Sequence, residues 1–212
     1  MSVAPAQFWA GWRRNGRLLR RHLRYGRASF SAQPSAARTA ALAALFRTVN
    51  GWLRDSGAEY ALAYGTLLGW HREGGLLAHD RDVDFAAPLA MYARLRDAGA
   101  RLPAGFTLHD TSHRHHGPKL YVDHDGWDAD IYFFRDVDGG RLQSTERSGN
   151  PGETTPFPRD WLFPLQRAEF LGEPTCVPAQ PVALLTHHYQ YLGADAVRDP
   201  VTRYFRPRDA RG

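Results

Sequence analysis

Residues 59–88 read EYALAYGTLLGWHREGGLLAHDRDVDFAAP, and the fold turns on how that stretch is parsed. Tyr60 to Tyr64 reads as a short strand, Gly65 and Thr66 as a turn, Leu67 to about Arg72 as a short helix, and Gly74 and Gly75 as a second turn. A further strand then carries Asp80, Asp82 and Asp84 at alternate positions. Successive side chains of a strand point to opposite faces, so these carboxylates share one face while Val83 and Phe85 make the other apolar. Three carboxylates side by side repel one another and are costly to desolvate unless a positive charge lies among them. A divalent cation, which takes hard oxygen ligands, meets that need, and the alternative is a solvated acidic face.

The run GTLLGWHREGGLLAHDRDVD resembles the signature of the LicD and fukutin-related phosphotransferases, a branch of the nucleotidyltransferase superfamily. Gly65, Thr66, Leu67, Leu68, Gly69, Arg72, Gly74, Gly75, Asp80, Asp82, Val83 and Asp84 fall in register with it. His79 stands where the family usually has tryptophan, and Arg81 where many members carry a further aspartate. The likeness extends over roughly residues 36–200. It implies an α+β fold, a nucleotidyltransferase-type mixed sheet flanked by helices, with the catalytic domain over residues 35–212. Backbone amides at Gly65 and Thr66, opening the short helix, would face a nucleotide phosphate, and Arg72 either neutralises phosphate charge or is a surface residue.

Further along, Trp127-Asp128-Ala129-Asp130-Ile131 leads into an apolar run that reads as a central strand. It resembles the family segment whose aspartate completes the metal site. Asp130 matches best because Ile131 follows it, and Asp128, on the same face, is the other candidate. Asp123 and Asp125 read as turn residues beside Gly126. Lys119 opens the preceding strand (KLYVD) at a position where the family often has a base, which implies a contact with donor phosphate. The resemblance thus assigns Asp82, Asp84 and Asp130, with Asp80 beside them, to one or two Mg²⁺ (or Mn²⁺) ions.

The remainder of the chain reads as support. Leu42, Leu45, Phe46, Val49, Trp52 and Leu53 recur at three and four, the stripe of a helix from Ser35 to about Asp55, with Gly57 as its stop. Leu89 to Ala98 reads as a helix and Phe106 to Asp110 as an edge strand. His113 to His116 read as a cationic loop beside an anionic pocket; with no cysteine near, zinc is the weaker reading. Residues 137–160 read as a loop-rich lid or acceptor-binding element. The segment after Trp161 resembles a late family segment that contains a hairpin, and Pro181 to Leu192 reads as a helix whose His187 and His188 are packing or surface residues. The last dozen residues read as loosely held.

At 212 residues and 43% hydrophobic content the chain suits one folded domain with a small appendage. The net charge of +5 favours an anionic partner. The single cysteine excludes an internal disulfide and fits a reducing compartment. No stretch reaches the roughly 20 apolar residues of a membrane span, so a cytoplasmic protein is expected. Residues 1–34 read as a basic amphipathic helix and a joint: at helical spacing Phe8, Trp12, Leu19 and Leu23 would share a stripe flanked by arginines. Such a helix either docks on the globular body or lies on an anionic bilayer as a peripheral membrane contact.

The resemblance implies a phosphotransferase that moves a phospho-linked small group from a CDP-linked donor to a glycan or glycolipid acceptor. Two alternatives stand: a nucleotidyltransferase that releases pyrophosphate from an NTP, and a non-catalytic module that binds anionic polymer. Nucleic acid is not expected as a partner, because no recognised nucleic-acid motif appears.

Overall fold

The apolar stripe of residues 42–53 forms as its spacing predicts. In the computed structural model, which describes residues 34–146 and 151–209, helix α1 spans Ala36–Asp55 and buries Leu42, Leu45, Phe46, Val49, Trp52 and Leu53. Ser35 caps it, its Oγ accepting the Arg38 amide at 3.3 Å. The chain leaves through Gly57 in the left-handed region (φ 62°). The basic helix expected over residues 1–34 lies outside the described residues.

The main sheet is built from β1 (Ala61–Leu62), β2 (Asp82–Pro88), β3 (Phe106–Asp110), β4 (Lys119–His124) and β5 (Trp127–Val137), in the order β1-β2-β5-β4-β3. β2 and β5 run parallel and the other neighbours antiparallel, so the sheet is mixed. Val83, Phe85 and Ala87 of β2 join Ala129, Ile131 and Phe133 of β5 and the stripe of α1 in one core. By alternation Asp82, Asp84 and Ala86, with Asp128, Asp130, Tyr132 and Phe134, occupy the opposite face. That face is acidic at one end only. Toward the other, Ala86 and Phe134 pack with Tyr64, Leu142, Phe157 and Leu184 in a second core, so the sheet is covered on both sides.

Helix α2 spans Tyr64–Glu73, and β1 is only two residues long, so the expected strand over 60–64 gives way to helix early. The Ala63 amide still donates to the Asp84 carbonyl at 3.0 Å, and the chain turns at Tyr64 (φ 41°). Gly65 and Thr66 therefore lie inside the first helical turn. Gly74, in the left-handed conformation, caps the C-terminal end. The chain then doubles back so tightly that a Cβ on Gly69 would stand 2.4 Å from the Gly75 carbonyl oxygen.

α3 covers Tyr92–Ala98, continued at both ends by 3₁₀ turns. The histidine-rich segment contains one helical turn, α4 (Ser112–His115). The described residues between 137 and 160 carry more regular structure than the loop-rich reading expects. Gly139 and Gly140, both at positive φ, return the chain so that β6 (Arg141–Ser144) pairs with the far end of β5. α5 (Pro151–Thr154) and β7 (Phe157–Pro158) follow, with β7 pairing β6. β8 (Gln166–Phe170) and β9 (Glu173–Val177) form the expected hairpin, turned by Leu171 (φ 53°) and Gly172 (φ 78°). α6 spans Pro181–Tyr189 and stops three residues early at Gln190 (φ 66°). β10 (Ala196–Arg198) and β11 (Phe205–Pro207) form a small hairpin, so part of the last dozen residues is paired. Among the described residues, no helix is long and apolar enough to cross a membrane.

Candidate metal centre

The parallel pairing of β2 and β5 sets the site. Asp82 lies opposite Asp128 and Asp84 opposite Asp130, on the face away from α1. Carboxylate oxygens of Asp82, Asp84 and Asp130 come within 4.8 Å of one another, the one such group of metal-capable side chains among the described residues. Asp84 is buried at 6% exposure. Its backbone is fixed from α2: the Asp84 amide donates to Thr66 Oγ1 at 2.9 Å, and its carbonyl accepts from Ala63. Thr66, itself buried, thus holds the central carboxylate in place.

Burial holds the Asp84 carboxyl well above the usual carboxylate range, and the neighbouring Asp82 and Asp130 push it further. Burial, and then Asp130, raise Asp82 to about 6, against the pull of Lys119 and Arg81. In the metal-free site the negative charges are thus under-compensated, and a cation relieves all three at once. The donor set is all carboxylate oxygen, which suits Mg²⁺ or Mn²⁺ and not a soft metal.

Lys119 does open β4 as expected, but its ammonium is committed within the site. Its Nζ lies 3.4 Å from Asp130 Oδ1 and 3.2 Å from Glu146 Oε2, and 3.1 Å from the centroid of the Tyr132 ring. Glu146 also meets His115 Nδ1 at 2.7 Å. Glu146 has no motif around it in the sequence, and only the β5–β6 turn delivers it here.

The other expected residues divide. Gly65 borders the group: a Cβ there would stand 3.4 Å from Asp80 Oδ1 and 3.5 Å from Asp84 Oδ2. Asp80 lies in the turn before β2, not on the strand, and its Oδ2 accepts the Leu77 amide at 2.9 Å. It is near the trio without belonging to it, and burial above all raises it to about 7. Arg72 sits in the last turn of α2, about 10 Å of helix rise from Gly65, beside Glu73 at 3.1 Å. The structure does not bring it to the carboxylates. Asp125 turns the β4–β5 hairpin with Gly126 as expected, whereas Asp123 is a buried residue of β4. α1 was expected only to pack, yet its buried Arg38 reaches the Ala78 carbonyl at 2.7 Å and so braces the turn that holds Asp80. His188 is a packing residue, its ring 4.7 Å from that of Tyr64 and its Nδ1 3.0 Å from the Gly152 carbonyl.

Comparison with solved structures finds distant likenesses. ANT(2″)-Ia in complex with adenylyl-2″-tobramycin is 12% identical over 64% of this chain and 68% of its own, with a TM-score of 0.43. The lincosamide antibiotic adenylyltransferase LnuA, lincomycin-bound, is 15% identical over 71% of this chain and 87% of its own, at a TM-score of 0.42. Terminal uridylyl transferase 4 from Trypanosoma brucei with bound GTP is 16% identical over 54% of this chain and 35% of its own, at a TM-score of 0.31. No curated protein matches. The family model described as LicD/FKTN/FKRP, nucleotidyltransferase domain, matches residues 57–180, which hold β1, α2, the three carboxylates and the β8–β9 hairpin. With more than half of its length matched around that centre, the chain belongs to the LicD/FKTN/FKRP family of nucleotidyltransferase domains.

Proposed function

We propose that this chain transfers a phospho-linked small group, such as phosphocholine or a phospho-alditol, from a CDP-activated donor to a hydroxyl of a glycan or glycolipid. The observation that carries this reading is the group of Asp82, Asp84 and Asp130, oxygens within 4.8 Å of one another on adjacent parallel strands, in a chain of this family. A divalent cation held there, Mg²⁺ or Mn²⁺, supplies charge stabilisation to the phosphoryl oxygens of the donor. Asp82, Asp84 and Asp130 are its ligands in this reading, with Thr66 keeping Asp84 in position. The first turn of α2, at Gly65 and Thr66, offers backbone amides to the diphosphate. Lys119 and, from further off, Arg72 add positive charge. Asp130 or Asp80 accepts the proton of the attacking hydroxyl. The new bond forms between that oxygen and the distal phosphorus, the bond from that phosphorus to the bridging oxygen breaks, and CMP leaves.

The same carboxylates would serve attack at the α-phosphorus of an NTP, with pyrophosphate as leaving group, and the family description's words 'nucleotidyltransferase domain' keep that second reading in play. Product analysis separates the two. The chain is incubated with Mg²⁺ and a panel of CDP-linked donors or NTPs, each with a glycan acceptor. Release of CMP supports the phosphotransferase, and release of pyrophosphate replaces it with the nucleotidyltransferase. Turnover of neither, with retention of anionic polymer, favours the binding module.

The acceptor side of this reading includes a membrane. The aromatic stripe and arginines of residues 5–27 suit an anionic bilayer, on which each basic residue contributes about 1 kcal/mol. A chain lacking residues 1–30 is expected to release CMP from a soluble donor as before and to lose cosedimentation with phosphatidylserine vesicles. Unchanged cosedimentation removes the membrane from the proposal.

A further inference from the structure

The chain has one lysine, Lys119, and its ammonium is held on three sides. Lys119 and Tyr132 are opposite partners in the β4–β5 ladder, which sets the ammonium over the ring. Asp130 and Glu146 flank it at 3.4 and 3.2 Å. The Lys119 and Glu146 side chains are only 4% and 14% exposed, so water screens these charges little. A fixed ammonium beside Asp130 competes with any cation for that carboxylate. With Asp130 as its sole anionic partner it would draw the Asp130 oxygen toward itself and leave a less negative site. Glu146 offers a second carboxylate to the same ammonium, and its own far oxygen is tied to His115 at 2.7 Å.

We infer that Glu146 is a positioning residue for the cation site: it shares Lys119 with Asp130 and thereby leaves Asp130 available as a ligand. The inference rests on the reading of Asp82, Asp84 and Asp130 as the cation site. It predicts a specific coupling. Glu146→Gln, which keeps the shape and removes the charge, hands Lys119 wholly to Asp130 and weakens cation binding. Removing Lys119 as well abolishes the competition, so a second substitution repairs the first.

Calorimetric titration of the full chain with Mn²⁺ tests this without reference to turnover. Glu146→Gln is expected to weaken Mn²⁺ binding about tenfold, and Glu146→Gln with Lys119→Met to restore it to the parent affinity or better. Lys119→Gln replaces Lys119→Met if thermal melts show that the methionine variant does not fold. A glutamate that only held the fold together would leave the double variant as weak as the single one, and that result overturns the inference. So does unchanged Mn²⁺ affinity in Glu146→Gln. The underlying reading is reported separately by Asp84→Asn. Parent-like Mn²⁺ binding in that variant, or no uptake by the parent chain, overturns the cation site and the inference with it.

Discussion

Asp84 is the residue on which the most depends. It is buried, its backbone is tied at both the amide and the carbonyl, and two further carboxylates converge on it, Asp82 from the same strand and Asp130 from the parallel strand opposite. Asparagine at Asp82, Asp84 or Asp130 keeps the volume and removes a charge that the proposed cation would need. A cation site is worth several kcal/mol to a phosphoryl-transfer transition state, so each variant is expected to lose roughly a thousandfold or more in turnover. Metal-free stability is expected to move the other way. Burial and mutual repulsion raise Asp82 and Asp84, so at neutral pH their ionised forms are worse placed in the folded chain than in the unfolded one. The melting temperature without metal should therefore rise in Asp82→Asn and Asp84→Asn. Asp125→Asn, in the hairpin turn, should change neither reading. Parent-like turnover in Asp84→Asn would remove the metal from the mechanism. Period-2 spacing makes the shared face of Asp82 and Asp84 legible in the sequence, but it also puts Asp80 on that strand, where the structure has a turn. Asp130 is reached only through the family resemblance, with Asp128 as the other candidate. Glu146 is not legible, since its place depends on where the β5–β6 turn returns the chain.

At the scale of elements, legibility followed local signals. α1 and β3 are readable because a helical stripe or an alternating run marks each within its own residues, whereas the β8–β9 hairpin is reached through the family resemblance. β6 was missed because Arg141 and Gln143 face outward and only Leu142 anchors it in the core. The start of α2 is hidden because Tyr60 to Tyr64 satisfies a strand pattern, while tertiary pairing ends β1 after two residues and the helix begins at Tyr64. The GG turn after α2 was read correctly as a turn, but the demand it places on Gly69 needs three dimensions. A Cβ on Gly69 meets backbone, the Gly75 oxygen at 2.4 Å and the Leu77 nitrogen at 3.2 Å, which no rotamer can relieve. Gly69→Ala must push α2 away from the turn that carries Leu77 and Asp80. The expected loss is about 1–3 kcal/mol of stability, as for other overpacked sites, read as a lower urea midpoint. A stability equal to the parent would mean that the α2 return is looser than this geometry.

For the whole molecule, acid is the informative perturbation, because buried groups of opposite kind titrate in one window. His188 joins α6 to Tyr64 of α2 and to the Gly152 carbonyl, with Nδ1 as the donor. Burial, then the nearby His187, push it down to about 3. In the unfolded chain it takes up a proton below about 6.5 while the folded chain keeps it neutral. The unfolded state thus binds more protons between about pH 6.5 and 3. Its contribution is fully present above that window and is lost, at about 1.4 kcal/mol per pH unit, as pH falls through it. Asp80 and Asp82 act with the opposite sign. Raised to about 7 and about 6, they are protonated more readily in the folded state and add stability on acidification. The pH profile of the parent chain is the difference of these effects and does not isolate either. Comparison with His188→Gln does, since glutamine retains a donor for Gly152 and cannot be protonated. The parent's stability relative to the variant is expected to fall by about 2 kcal/mol between pH 7.5 and 5, measured from urea midpoints at each pH. A difference that stays constant with pH would mean that water reaches His188 in the folded chain and that the α2–α6 packing over the second core is open.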